Sequence, residues 1–133
     1  MGAALFPPSV RIFTFDDVKI RLNDSNYIII STLSCDSQNG LIQNTILWDR
    51  EEAVINNIIK SKSKQMIIVY GKNWGDKTVH DKCTQLIRLG IIPCVYMGGM
   101  FEWLCMQDIY GSDEFPTVCD ELDILKYKPM SVT

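Results

Sequence analysis

Nowhere does the chain hold a run approaching the ~18 apolar residues that a bilayer-crossing helix requires, so no membrane span is expected. Basic charge is not in excess either. Lys and Arg number 13 against 16 Asp and Glu, a formal charge of −3, which removes the electrostatic ground for a nucleic-acid partner. The chain has one histidine, His80, and its five cysteines show neither CxxC nor Cys/His spacing, so no zinc site is expected. Those cysteines are Cys35, Cys83, Cys94, Cys105 and Cys119, an odd number, and two lie in segments that read as buried; this argues for a reducing, cytoplasmic setting without a disulfide frame. The start, Met-Gly-Ala-Ala-Leu-Phe-Pro-Pro, lacks the basic region and long apolar core of a secretory leader. Phe6 stands where a myristoylation signal after Gly2 wants Ser or Thr. No metal or cofactor is expected.

What is present suits a single core. A chain of 133 residues can bury about two-thirds of its unfolded surface. Residues 10–13 form a short apolar run, and Thr14 with Asp17 three residues later resembles a capping box for a helix whose apolar face is Phe15, Val18 and Leu22. Residues 27–30 read as a strand buried on both faces, 41–47 as a short edge segment, and Asp49 as the cap of a helix over 50–60 with Val54, Ile55, Ile58 and Ile59 inward. Residues 66–70 are the most continuous β-branched run, and from Thr78 onward Val79, Cys83, Leu86 and Ile87 recur at helical spacing. Gly90 is placed as a helix C′ glycine, 91–97 as a further buried strand despite Pro93, and 100–107 as a helix after the Gly98-Gly99 turn. Thr117 is expected to cap a short helix carrying Val118, Leu122 and Leu125. The acidic residues of the tail, Asp108, Asp113, Glu114, Asp120, Glu121 and Asp123, have no metal-loop spacing and read as a solvated face. Alternation of strands and helices predicts an α/β fold of three layers, α/β/α, around a mostly parallel five-stranded sheet. A domain over 10–107 carries a C-terminal extension, 108–133, whose Phe115, Val118, Leu122, Ile124, Leu125 and Tyr127 favour packing on the domain.

In such folds ligands gather at the carboxyl ends of strands, which makes the loop after residue 70 the expected floor of any site. Its residues are Gly71, Lys72, Asn73, Trp74, Gly75, Asp76 and Lys77. Beyond it, Gly98-Gly99-Met100-Phe101-Glu102-Trp103 places a tryptophan four residues after the second of two glycines, and Gly40-Leu41-Ile42-Gln43-Asn44-Thr45-Ile46 follows the strand at 28–33. Taken in chain order, the segments 28–33, 40–46 and 98–103 together resemble the rhodanese family, over about residues 10–107. The resemblance implies a cysteine directly after the central strand, at the head of a loop whose amides point inward and whose last residue is basic.

Gly71 holds that place, and a glycine has no atom that can accept sulfane sulfur or attack phosphorus. Ser31, Leu33 and Leu41 stand where the resemblance expects Asp, Arg and His. Five residues separate Gly71 from Lys77, the length of the family's phosphatase-like branch, with Lys77 in place of Arg and unable to form a bidentate fork. The expectation is a rhodanese-like domain without sulfurtransferase or phosphatase activity, acting as a binding or scaffolding module through the Trp74 loop or the tail, and monomeric by default. Two other readings stand beside it: a sensor of small anions or phospho-groups using the 71–77 loop, and a sulfurtransferase working through Cys35 on the same rim. His80, near the positive helix start, reads as a surface residue, and the remaining cysteines as packing.

Overall fold

Strands form where β-branched residues run together, and helices where apolar residues recur every three or four positions. The structure is a computed structural model and describes residues 6–35, 38, 40–118 and 123–129. Its elements, in order, are β1 (Arg11–Phe13), α1 (Phe15–Arg21), β2 (Tyr27–Ser31), β3 (Leu41–Ile42), β4 (Thr45–Ile46), α2 (Glu51–Ser61), β5 (Met66–Tyr70), α3 (Lys77–Arg88), β6 (Cys94–Tyr96), α4 (Gly99–Tyr110) and β7 (Thr117–Val118). A 3-10 turn, Ile124–Tyr127, follows.

Five strands make one sheet in the order β1-β6-β5-β2-β4, and each adjacent pair is parallel. Neighbouring residues of β2, β5 and β6 point to opposite sides. Ile29, Ile68, Tyr70, Cys94 and Tyr96 join one core with Val18, Met100 and Trp103 from α1 and α4. Ile30, Ile67, Val69 and Val95 join the other with Ile55, Ile58, Val79, Cys83 and Leu86 from α2 and α3. The result is the α/β fold expected, with a sheet covered on both faces. Burial on both faces explains why its strands read as continuous apolar runs.

Several local expectations change. The Thr14/Asp17 capping box forms, but Asp49 is not the N-cap of α2: Arg50 holds that position and makes no side-chain cap hydrogen bond. The edge segment 41–47 divides at Asn44, whose φ is 72°, so β3 leaves the main sheet while β4 becomes its edge. Residues 91–93 stay out of β6, because the Ile91 amide closes the end of α3 on the Leu86 carbonyl and Pro93 has no donor to give a ladder. α4 begins at Gly99 and runs on to Tyr110, past the expected end at 107. Thr117 caps no helix; it pairs with Ile42 in the antiparallel β3-β7 ribbon, and Asp123 caps the 3-10 turn instead. Leu122, Cys119, Asp120 and Glu121 lie outside the described residues, as does Gly2.

The described part of the tail lies against α4. Phe115 and Tyr127 are buried in the core on that face. The Trp103 indole donates to the Pro116 carbonyl at 3.1 Å, and Gln107 Nε2 donates to the Phe115 carbonyl at 2.8 Å. Val118 and Leu125 are exposed.

Candidate functional site

Tyr70 ends β5 deep in the protein, and its hydroxyl closes a ring of hydrogen bonds. The Ile42 amide donates to it (3.1 Å), it donates to Thr45 Oγ1 (2.8 Å), and Thr45 Oγ1 donates to the Ile42 carbonyl (2.6 Å). Burial pushes this phenol well above its ordinary range. The ring ties the 42–45 turn to the strand that leads into the loop.

Gly71 is buried, and the space a side chain would need is taken. A Cβ built there would lie 2.7 Å from Val79 Cγ2 and 2.8 Å from Thr32 Oγ1, and closer still to the Asp76 carboxylate. Asp76 is the N-cap of α3, and its side chain draws the loop closed. Oδ1 accepts from the Thr78 amide (3.0 Å) and hydroxyl (2.6 Å), while Oδ2 accepts from the Lys72 amide (2.9 Å). The Thr78 and Thr32 hydroxyls are hydrogen-bonded 2.7 Å apart, which links the end of β2 to the first turn of α3. Asn73 Oδ1 accepts from the Gly75 amide (2.8 Å), and Asn73 Nδ2 donates to the Tyr127 carbonyl (2.9 Å). The Lys72 and Gly75 amides, which could help hold an oxyanion, thus donate to the loop's own side chains. For an external anion to replace these partners, Asp76 must swing out.

The two glycines before α4 have their own geometric cause. Gly99 has φ 67°, and a Cβ on it would fall 2.6 Å from the Gly71 carbonyl oxygen and 2.8 Å from the Asn73 nitrogen. Without one, α4 comes close enough for the Met100 and Phe101 amides to donate to the Gly71 and Lys72 carbonyls, at 2.9 and 2.8 Å. The Glu102 carboxylate covers Gly98 and accepts from Tyr96 Oη at 2.8 Å. Burial and this neighbouring carboxylate both raise the Tyr96 phenol.

The other singled-out residues are spread around this rim. Ser31 is buried and accepts from Gln38 Nε2, while Leu33 and Leu41 are core residues that present no charge to the loop. Lys72 and Lys77 are exposed, with no ion pair among the described residues. Cys35 is exposed, and the β2-end group nearest Gly71 is the Thr32 hydroxyl. His80 packs against the Phe6 ring. Trp74 is 56% exposed, its ring edge-on to Phe101 with centroids 6.0 Å apart. Sequence reasoning passed over Trp48, which is 57% exposed and borders a cleft of about 300 Å³ with Thr32, Thr78, Asp81 and the Lys82–Glu51 ion pair (2.7 Å). It also passed over Thr32 and Thr78. The signal for Thr78 was present in Asp76-x-Thr78, an N-cap with a hydroxyl two positions on.

Fold and site together define an α/β domain with a closed loop at the carboxyl end of its central strand. No family model and no curated protein sequence matches the chain. Among solved structures it is similar to protein BH2092 from Bacillus halodurans, with a TM-score of 0.62 and 14% identity over 74% of each chain. It is also similar to a full-length protein from Lactobacillus plantarum, with a TM-score of 0.61 and 13% identity over 82% of this chain and 88% of that one. A third similar structure is EanB with ergothioneine covalently linked to a cysteine persulfide, with a TM-score of 0.58 and 19% identity. That match covers 83% of this chain but only 28% of EanB. No described helix is long and apolar enough to cross a membrane.

Proposed function

We propose that the chain is a rhodanese-like domain that carries out no sulfur or phosphoryl transfer and serves as a binding module. The observation that carries this reading is the filled space at Gly71, where Asp76, Val79 and Thr32 crowd the position that the resemblance assigns to a nucleophile. The persulfide held by EanB, a protein of similar fold, agrees with the resemblance. The binding surface is the rim around the start of α3. Asp76 and Val79 border the Trp74 side and Thr78, Asp81 and Lys82 the Trp48 side, so two exposed indoles flank one helix end. Large exposed aromatics of this kind dominate protein interfaces energetically. The anion-sensor reading is less favoured, since Asp76 already holds the Lys72 and Thr78 amides.

The test has two arms. Purified protein is given thiosulfate with cyanide and, separately, a generic phosphomonoester; no turnover above a protein-free control is expected, and turnover abolished by Cys35→Ala would overturn the proposal. Partners captured by the wild type and lost by Trp48→Ala/Trp74→Ala support the rim as the surface, whereas capture unaffected by both substitutions removes it.

A further inference from the structure

At the opposite end of the sheet, where β1, β5 and β6 begin, lies a second cleft, of about 270 Å³. Its floor is apolar, with Ile58, Met66, Ile91 and Pro93, and Ile92 is half exposed on its wall. Arg11 and Lys64 also line it, both exposed and neither in an ion pair among the described residues. Among the described residues no carboxylate lines it, although acidic residues outnumber basic ones in the chain as a whole. The Arg11 charge is close enough to Cys94, at the base, to counter part of the rise that burial imposes on that thiol.

Helix C-termini converge at this end of a parallel sheet, and open carbonyls there would repel an anion. Here several of them are occupied. The Ile58 and Ile59 carbonyls accept from the Lys62 and Ser63 amides, and those of Gln85, Leu86 and Ile87 accept from Leu89, Gly90 and Ile91. Arg11 and Lys64 are the full charges of its lining, and both are positive. Its volume equals that of about nine liquid waters, enough for a ring or short chain with one charged head. An apolar floor with a few convergent polar groups is the usual form of a small-molecule site. A guanidinium matches the two oxygens of a carboxylate, and the floor favours a ligand with an apolar body over a bare hydrophilic anion.

We propose that this cleft binds a small amphipathic carboxylate, a short fatty or aromatic acid, with its head paired to Arg11 and Lys64 and its body on Ile58, Met66 and Pro93. This does not depend on the reading of Gly71. The test is a two-dimensional amide spectrum of the whole chain titrated with hexanoate, benzoate, hexanol and inorganic phosphate. Either acid is expected to give saturable shifts confined to residues near 11, 63–66 and 90–94, with hexanol and phosphate each binding about tenfold more weakly. Lys64→Gln, at an exposed loop position, and Arg11→Gln should each weaken hexanoate about tenfold while leaving hexanol unchanged. The proposal is overturned by no saturable shift up to about 10 mM acid, a concentration that only very weak sites require. Shifts located elsewhere, hexanol or phosphate binding as tightly as hexanoate, or hexanoate binding that survives both substitutions would overturn it equally.

Discussion

A methyl group added at Gly71 would have to displace a carboxylate, a valine and a threonine hydroxyl at once. Gly71→Ala is therefore expected to cost about 1–3 kcal/mol, the usual penalty for overpacking. The urea midpoint at unchanged m-value reads this directly, and a neutral substitution would show that the position is open. Gly99→Ala should cost more, since it adds a strained left-handed φ to contacts with backbone that cannot step aside. Tyr70→Phe leaves the Ile42 amide without its acceptor and breaks the ring through Thr45, for a loss of about 1–3 kcal/mol by the same measurement. None of these side-chain consequences could be read from residue types alone. The sequence says that position 71 has no nucleophile; only the fold shows what stands in its room.

Two helix starts, those of α3 and α4, hold the loop. Asp76 caps α3 and holds the Lys72 amide with the same carboxylate, so Asp76→Ala should lose about 1–2 kcal/mol, and Asn, which keeps one acceptor, should fall between. A larger effect for Asn than for Ala would deny the capping role. α4 reaches the tail through Trp103, whose indole donates to the same Pro116 carbonyl that the Gln43 amide uses. Trp103→Phe is expected to speed hydrogen exchange at Gln43 and through β7 while leaving β5 protected; uniform acceleration would mean that the whole fold loosened instead. Elements of this scale were legible where one periodicity ruled, as in α1, β2, β5 and α3. They were not where partners distant in sequence decided. Thr117 has a good helix-capping side chain, but the Ile42 backbone offers it a ladder. Asp49 likewise resembles a cap, yet the helix begins one residue later than that requires. Asp76 was legible only as a residue of the loop, whereas its role as the loop's own anion needed the geometry.

For the molecule as a whole, several neutral acids are held in the interior. Burial pushes Cys83 up from 9.0 to about 11, and raises Cys94, Cys105, Tyr70 and Tyr96 as well. Each favours its neutral form when folded, so its contribution is complete below the ordinary value and is lost as pH rises, because the unfolded chain ionises first. Thermal midpoints should therefore fall steadily above pH 9, with thiols acting before phenols; constancy to pH 11 would contradict these burials. The same two-faced burial made the fold class readable from sequence, since strands covered on both sides must be apolar throughout. The reach of α4 onto the loop lay in glycines whose spacing was visible and whose purpose was not. The most direct measurement of the central claim is thiosulfate and cyanide turnover by the wild type and by Gly71→Cys. Neither is expected to exceed a protein-free control, because the new sulfur would enter space held by Asp76, Val79 and Thr32. Turnover by the wild type, or full activity restored by that single cysteine, would contradict the account.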